Sequence, residues 1–220
     1  MSPATRGAVV IMAKAPREGF VKTRLAGAFT APEVVRLSDC MLRDTVALVQ
    51  ALTGVHAAVM CPSGDVADIG ARLPPGVQVV GQSGDGLAAA LVSVFERFVP
   101  DFRRVVAIDS DSPHLPLAIL ESAFEHLETR DVVVGPTEDG GYYLVGASAT
   151  RPRLFDAAPL GTQNARDALL GNARALGLSV VFTAPWYDVD LPADLRRLAA
   201  ELRIEPARAP RTAALLASWR

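Results

Sequence analysis

The sequence predicts an α/β fold, a three-layer sandwich in which helices cover both faces of a mostly parallel β-sheet. Short apolar runs rich in valine recur along the chain, which is typical of strands that are covered on both faces. Amphipathic helical patterns lie between these runs, so strand and helix alternate and right-handed crossovers are expected. Of the 220 residues, 50% are hydrophobic, enough to bury a full core. We therefore expect a single domain over residues 1–220, with a C-terminal extension from about residue 205.

The predicted strands are apolar runs that do not alternate with polar residues. Such continuity suits strands that are buried on both faces. The runs cover residues 8–13, 55–60, 77–80, 105–108, 132–134 and 178–182. A further strand is expected at Tyr142 and Tyr143, whose side chains would point to opposite faces of the sheet.

The clearest helical pattern covers residues 31–52. Thr30 and Glu33 match a capping box at its start. An apolar stripe follows at helical spacing, consisting of Val34, Leu37, Met41, Leu48 and Leu52. Other predicted helices cover residues 86–98, 116–127, 162–175 and 192–202. Pro192 suits the first turn of the last of these.

The C-terminal part reads as an extension of the domain. Residues 205–211 are rich in proline and arginine and predict a linker. A short helix should follow it. We expect that helix to pack back on the domain through Leu215, Leu216 and Trp219.

Charge and cysteine content exclude several classes of partner. The net charge is −2, whereas binding to nucleic acid or acidic membranes favours a strongly basic surface. We therefore predict neither partner. Cys40 and Cys61 have no metal-like or redox-pair spacing and imply no disulfide framework. The first apolar run is too short for a signal peptide or a membrane span, so we expect a cytoplasmic protein.

An acidic pair follows the predicted strand at residues 105–108. Asp109 and Asp111 are two residues apart, so their side chains would share one face. Carboxylates at the C-terminal end of a strand lie where open α/β sheets bind ligands, and oxygen ligands suit Mg²⁺ or Mn²⁺. The sequence therefore predicts a metal site. Alternatively, one aspartate caps the turn or helix that begins at Ser112 and Pro113.

A basic loop follows the first predicted strand. Lys14, Lys22 and Arg24 lie in it, at the edge of the sheet where α/β proteins bind ligands. Such a loop can hold a phosphate chain by charge-assisted hydrogen bonds. It is neither a Walker loop, because Gly19 does not directly precede Lys22, nor a dinucleotide fingerprint. A charged surface loop is the alternative, and it is the interpretation preferred for Arg17 alone.

Two later segments carry further candidate residues. Asp188 and Asp190 repeat the two-residue spacing, although Asp190 could instead cap the helix that begins near Pro192. The segment from Glu138 to Gly141 contains two glycines beside two acidic residues. It suits a hairpin turn, or a close backbone approach to a ligand that the carboxylates would hydrogen-bond.

These segments, in this order and spacing, resemble a known family. The chain is similar to uncharacterised bacterial transferases with the glycosyltransferase-A (GT-A, nucleotide-diphospho-sugar transferase) fold, relatives of 2-phospholactate guanylyltransferase and molybdenum-cofactor guanylyltransferase. The resemblance covers nearly the whole chain, and its Rossmann-like sheet would be mostly parallel. The segments that carry it are residues 13–25, Asp44-Thr45, Asp111-Ser112-Pro113, residues 135–143 and residues 188–195.

The resemblance implies a role for each matching residue. The nucleotide would be bound by Ala13, Lys14, Lys22, Thr23, Arg24, Gln82, Asp85 and Gly86. The catalytic residues would be Lys14, Lys22, Arg24 and Asp111. Asp111, Asp190 and Asp109 would hold Mg²⁺ or Mn²⁺, and Glu138, Asp139, Gly140 and Gly141 would bind the acceptor. Asp109 departs from the family, which often has glycine there, and the family's Gly-Glu-Arg run after Asp85 is absent.

The expected function is therefore a Mg²⁺-dependent transferase with a nucleotide and a small-molecule acceptor as its partners. The basic loop favours a nucleotidyltransferase that moves NMP from an NTP to a small phosphorylated acceptor, because a triphosphate needs more cationic contacts than a diphosphate. Asp109 favours the alternative, a glycosyltransferase that uses a nucleoside-diphosphate sugar. A non-catalytic nucleotide-binding module is a third alternative.

Overall fold

The computed structural model describes residues 7–156 and 164–219. Within these ranges a sheet contains the strands β1 Gly7–Met12, β2 Val55–Cys61, β3 Gln78–Gly81, β4 Val105–Asp109, β5 Val132–Pro136, β6 Tyr142–Ala147 and β7 Val180–Phe182. Their spatial order is β3-β2-β1-β4-β6-β5-β7. β6 is antiparallel to β4 and β5, and the other pairs are parallel. The predicted α/β class and mostly parallel sheet are therefore confirmed.

Helices cover both faces of the sheet. They are α1 Ala31–Gln50, α2 Val66–Arg72, α3 Gly86–Phe98, α4 Leu117–His126, α5 Ala165–Ala175, α6 Pro192–Ile204 and α7 Pro210–Ser218. Side chains of α1, α2 and α4 pack on one face of the sheet, and those of α3 and α5 on the other. This is the predicted three-layer sandwich.

The alternation of side chains in β1 shows why continuous apolar runs form these strands. Val9 and Ile11 belong to the core beneath α1 and α4, while Ala8 and Val10 belong to the core beneath α3. All four are fully buried. Because both faces are covered, a polar residue at any of these positions would lose its contact with water.

The predicted element boundaries hold to within a few residues. α1 begins with the predicted capping box of Thr30 and Glu33 but ends at Gln50. α5 begins at Ala165, and residues 162 and 163 of the predicted helix lie outside the described ranges. The short helix α2 was not predicted. Its seven residues are too few to establish a helical period.

The C-terminal extension packs on the domain as expected. α7 lies against α1, and Leu215, Leu216 and Trp219 join a core cluster formed with α1 and α6. A carboxylate of α1 fixes the start of α7. Asp44, which is buried, accepts hydrogen bonds from the backbone N–H of Thr212 at 2.8 Å and from its hydroxyl at 2.8 Å. Asp44, part of the motif that carries the resemblance, thus has a structural role here.

In the part of the chain that the structure describes, no helix combines the length and the apolar character needed to cross a membrane.

Candidate active site

A cleft of about 660 Å³ lies at the C-terminal edge of the parallel strands. Clefts of this size and place are where open α/β sheets bind small molecules. It brings together predicted site residues from five segments of the chain: Ala13, Lys14, Lys22, Thr23, Arg24, Gln82, Asp85, Gly86, Asp109, Asp111, Asp139, Gly141 and Asp190. Glu138 and Gly140 lie outside its lining, and the Glu138 carboxylate instead pairs with Arg197 at 3.2 Å.

The basic loop is anchored at both of its ends. The backbone N–H of Ala15 donates to the buried carboxylate of Asp65 at 2.9 Å, and Arg17 forms an ion pair with the same carboxylate. At the other end, Leu25 is fully buried beneath α1 and α6. Arg17, expected only as a surface charge, therefore helps to hold the loop. The middle of the loop projects over the cleft.

Lys22 lies at the centre of the site. Its Nζ is 2.8 Å from Asp111 Oδ2 and 3.0 Å from Asp190 Oδ1, and its side chain is only 4% exposed. Burial by itself would lower the pKa of Lys22, but the two carboxylates outweigh this and raise it. The ammonium is therefore charged at neutral pH and bridges two acidic segments that are far apart in sequence.

The backbone of Lys22 is unusual as well. Among the described residues it is the single non-glycine residue with a positive φ, 46°, which is the left-handed region. A side chain costs free energy in that conformation, so other contacts must hold it. The contacts described at this position are the two ion pairs of the side chain and the hydrogen bond from the N–H of Leu25 to the Lys22 carbonyl at 2.9 Å.

The other predicted cations of the loop face solvent. Arg24 is 61% exposed, and its Nη1 is 3.3 Å from Asp190 Oδ2. Lys14 is exposed at the cleft wall. The cleft therefore presents one buried, neutralised cation and two accessible ones.

Main-chain hydrogen bonds bring the two acidic segments together. The N–H of Val189 donates to the carbonyl of Asp111 at 3.0 Å. The Ser112 hydroxyl donates to the carbonyl of Tyr187 at 3.0 Å and to Asp188 Oδ1 at 3.1 Å. The segment that follows β4 and the segment that precedes α6 are thereby joined, and Asp111 and Asp190 face the same point.

Asp109 and Asp188 form a second, deeper acidic pair. Asp109 Oδ1 accepts the backbone N–H of Asp111 at 2.8 Å, which is the alternative role expected for it. Burial and the carboxylates of Asp188 and Asp111 raise the pKa of Asp109 well above its ordinary value. Burial and Asp111 likewise raise the pKa of Asp188 to about 6. Because both pKa values are raised, this pair of carboxyl groups carries a proton in mildly acidic solution.

The donor set allows a test of whether a divalent cation fits. In the described residues, no group of three or more acidic, histidine or cysteine side chains could hold a metal ion. Asp111 and Asp190 nevertheless converge on one point, which the Lys22 ammonium marks. Two carboxylates are too few for a resident metal cage. They do suit Mg²⁺ that is completed by water and phosphate oxygens.

The hairpin between β5 and β6 forms another wall of the cleft. Gly140 has a φ of 94° at the turn. Asp139 Oδ1 accepts hydrogen bonds from the Thr137 hydroxyl at 2.6 Å and the Gly141 N–H at 3.2 Å, and these contacts lower the pKa of Asp139. The hairpin interpretation is therefore confirmed, and it places an ionised carboxylate at the cleft.

The loop from Gln82 to Gly86 is held by hydrogen bonds to β2 and within the loop. The N–H of Gln82 donates to the carbonyl of Cys61 at 2.8 Å, and its side-chain amide donates to the carbonyl of Gly84 at 2.9 Å. Gly86 starts α3 with a φ of 83°. The N-terminus of α3, with its partial positive charge, therefore borders the cleft.

The part of the sequence that matches a family model is residues 45–162. That range matches the model of a family described as "Uncharacterized protein conserved in bacteria (DUF2064)". The chain belongs to this family. No curated protein matches the chain.

Solved structures of other proteins are similar to this DUF2064 chain. A protein of Desulfovibrio desulfuricans G20, described as a candidate nucleotide-diphospho-sugar transferase, is 26% identical with a TM-score of 0.89, and the match covers 97% of this chain and 95% of that one. The 4-diphosphocytidyl-2C-methyl-D-erythritol synthase of Anaerococcus prevotii DSM 20548 is 12% identical with a TM-score of 0.60 over 90% of this chain and 96% of that one. CMP:2-keto-3-deoxy-manno-octonic acid synthetase, solved with CTP, is 13% identical with a TM-score of 0.58 over 90% of this chain and 99% of that one. The last two establish likeness of fold alone, and the predicted GT-A-like class is confirmed.

One predicted role in this DUF2064 protein is corrected by the structure. Asp190 does not cap α6. Asp194 Oδ2 accepts the N–H of Leu191 at 2.7 Å and the N–H of Asp190 at 3.1 Å, so Asp194 serves as the acceptor at this helix start. The side chain of Asp190 is thereby left to the cleft.

Sequence reasoning missed one residue that shapes the site. Asp65, which anchors the basic loop, follows β2 at the same edge of the sheet, and its position after a predicted strand was the available signal. Tyr142, which was predicted to point to the opposite face of the sheet from Tyr143, lines the cleft, and its buried hydroxyl has no hydrogen-bond partner among the described residues. Tyr143 packs on the opposite face and bonds to the carbonyl of Ala184 at 2.7 Å.

Proposed function

We propose that this protein is a Mg²⁺-dependent nucleotidyltransferase that moves NMP from an NTP to a small phosphorylated acceptor. The observation that carries the proposal is the meeting of the basic loop with Asp111 and Asp190 in one cleft. A triphosphate with its metal requires cations and a carboxylate pair in one cleft, and this cleft holds both.

The comparisons support a nucleotide substrate. One structural neighbour was solved with CTP, and another is named a 4-diphosphocytidyl-2C-methyl-D-erythritol synthase. Both share the fold of this chain over about nine-tenths of its length. Fold alone does not fix an activity, so the cleft's own residues must carry the argument.

The acidic pair is the proposed binding site of the cation. Asp111 and Asp190 would hold Mg²⁺ or Mn²⁺, which supplies neutralisation of phosphoryl charge when bound. Asp109 uses one oxygen for the N–H of Asp111 and lies against Asp188, so it contributes by fixing the position of Asp111.

The reaction follows from positioning and charge. An oxygen of the acceptor phosphate attacks the α-phosphorus of the NTP, the bond from that phosphorus to the bridging oxygen of the β-phosphate breaks, and pyrophosphate leaves with the bond's electron pair. Lys14 and Arg24 neutralise the triphosphate from the open side of the cleft, and Lys22 does so from within. The hairpin at Asp139 and Gly141 borders the space left for the acceptor.

Glycosyl transfer is the second candidate. The specific observation that favours it is the similarity to the D. desulfuricans protein, described as a candidate nucleotide-diphospho-sugar transferase, over nearly the whole chain. In that reaction the sugar carbon would form the new bond to the acceptor and the nucleoside diphosphate would leave. The same carboxylates and basic loop would then bind a diphosphate.

Ligand-dependent thermal unfolding tests the proposal. Wild type and Asp111→Asn are scanned with each of the four NTPs and with nucleoside-diphosphate sugars, in Mg²⁺ and in chelator. A ligand at about 100 times its Kd should raise the midpoint by roughly 5–10 °C. We expect one NTP to raise the unfolding midpoint of wild type in Mg²⁺ but not in chelator. We expect the same NTP to leave the midpoint of Asp111→Asn unchanged.

The control is Asp101→Asn, an exposed aspartate at the opposite end of β4, which should keep the shift. Larger stabilisation by a sugar nucleotide than by its matching NTP would favour glycosyl transfer. Stabilisation by an NTP that releases no pyrophosphate in the presence of any phosphorylated acceptor would favour a binding module. No shift with any nucleotide would overturn the proposal.

A further inference from the structure

Lys22 occupies the point where the two cleft carboxylates meet. Its ammonium is 2.8 Å from Asp111 and 3.0 Å from Asp190, while the side chain is 4% exposed. The carboxylates themselves are 35% and 41% exposed. A cation on this point is thus supplied by the chain itself, and the two acidic groups keep part of their hydration.

A divalent cation and this ammonium cannot occupy the same point. Metal binding by Asp111 and Asp190 requires Lys22 to move away, and a buried ammonium that loses both partners is costly. The cost disappears when a new anion is within its reach. The phosphate chain of a nucleotide in this cleft would be such an anion, because the loop that carries Lys22 also carries Lys14 and Arg24.

We propose that Lys22 is a displaceable counterion that holds the place of the divalent cation until a metal–nucleotide complex arrives. The coupling to nucleotide rests on the function proposed above. Metal alone then binds weakly, because it leaves the buried ammonium without a carboxylate partner. Nucleotide alone also binds weakly, because Lys22 is already neutralised. Each ligand strengthens the other by the same factor, as linkage requires.

The anchoring of the loop shows which part can move. Ala15 and Leu25 are fixed by Asp65 and by burial, whereas Gly19 between them has a φ of 76° and open space around it. Lys22 itself combines a left-handed backbone conformation with two ion pairs of its side chain. Release of those pairs allows the backbone of Lys22 to relax, so the side chain can turn from the carboxylates to a phosphate.

The first experiment measures Mn²⁺ binding without nucleotide, by electron paramagnetic resonance of the free ion. Wild type is compared with Lys22→Met and with the control Lys14→Met, which removes the same charge from the same cleft without a described contact to either carboxylate. We expect Lys22→Met to lower the Kd for Mn²⁺ by at least about tenfold, and Lys14→Met to change it by less than about threefold. Equal Kd values for wild type and Lys22→Met would overturn the proposal.

A second measurement guards against misfolding of the variant. Lys22→Gln, which keeps a polar side chain, should show the same gain in Mn²⁺ affinity, and the far-ultraviolet circular dichroism of both variants should match wild type. Calorimetric titrations with ATP, CTP, GTP and UTP, in Mg²⁺ and in chelator, then give the coupling. The ratio of the nucleotide Kd in chelator to the nucleotide Kd in Mg²⁺ should be at least about fivefold smaller for Lys22→Met than for wild type.

The two proposals fail in different ways. If none of the four NTPs binds but Lys22→Met gains Mn²⁺ affinity, nucleotidyl transfer is overturned and the counterion role is supported. If an NTP binds wild type with Mg²⁺ and Lys22→Met does not gain Mn²⁺ affinity, the counterion role is overturned and the proposed function is supported.

Discussion

The N–H of Val189 donates to the carbonyl of Asp111 at 3.0 Å and thereby ties two distant segments of the chain together at the cleft. Each segment carries a carboxylate that contacts Lys22. Because the link is made by main-chain atoms, it does not depend on the charge of any side chain. The approach of Asp111 to Asp190 should therefore survive substitution of Lys22, which makes the metal-binding comparison meaningful.

The anchor of the basic loop at Asp65 can be tested separately from the acidic pair. Asp65→Ala removes the acceptor of the buried Ala15 N–H and the partner of Arg17. We expect a loss of about 2 kcal/mol in the free energy of unfolding and a roughly tenfold weaker affinity for the preferred nucleotide, because the loop loses its fixed end. Urea unfolding and calorimetry measure the two effects. The control is Arg17→Met, which should produce less than half of either effect because the Arg17 side chain is half exposed. An unchanged nucleotide affinity in Asp65→Ala would contradict the role of Asp65 as the anchor.

The C-terminal extension offers a stability test that should leave the cleft unaffected. Asp44→Ala leaves the N–H and hydroxyl of Thr212 buried without their acceptor. We expect about 3 kcal/mol of destabilisation in urea unfolding. Nucleotide affinity should not change, because Asp44 is not part of the cleft lining. An effect below about 0.5 kcal/mol, the size expected for the surface control Asp101→Asn, would show that α7 does not need this cap.

Particular residues show how far the sequence predicts this molecule. The continuous apolar runs predict strands because both faces of the sheet are covered, and the edge where β1 and β4 end places Lys14 and Asp111 in one cleft. Contacts between distant segments are different. The pairing of Lys22 with Asp190 spans 168 residues, and local pattern carries no information on it. The sequence permits either Asp190 or Asp194 as the acceptor at the start of α6. The backbone angles of the folded chain decide between them, and the local pattern does not show those angles.

The partly buried pair of Asp109 and Asp188 predicts a pH dependence of stability in metal-free protein. Burial raises the pKa of Asp188 to about 6 and that of Asp109 well above its ordinary value. The folded state therefore binds protons more tightly than the unfolded state. The stabilisation of the folded state by these protons is complete below the unfolded pKa of about 4, and it is lost as the pH rises through about 6.

Asp188→Asn isolates that effect. The variant should be more stable than wild type by about 2 kcal/mol at pH 7.5, where burying the ionised group is costly, and the difference should disappear below about pH 4. Urea unfolding at a series of pH values in chelator measures it. Asp167→Asn, an exposed aspartate on α5, provides the control and should give a difference near zero at every pH. Wild-type stability that rises between pH 4 and pH 7 relative to Asp188→Asn would contradict the assignment.

The accessible lysine distinguishes the two candidate reactions. Lys14 is exposed at the cleft wall and belongs to the loop that would contact the outer phosphates. If the donor is an NTP, Lys14→Met should weaken NTP binding roughly tenfold while the affinity for the matching nucleoside diphosphate falls by less than about threefold, because only the triphosphate extends to this lysine. Calorimetry with both nucleotides in Mg²⁺, at two salt concentrations, measures the ratio. Equal losses for the two nucleotides would mean that Lys14 contacts the inner phosphates, and that result would favour a nucleoside-diphosphate sugar as the donor.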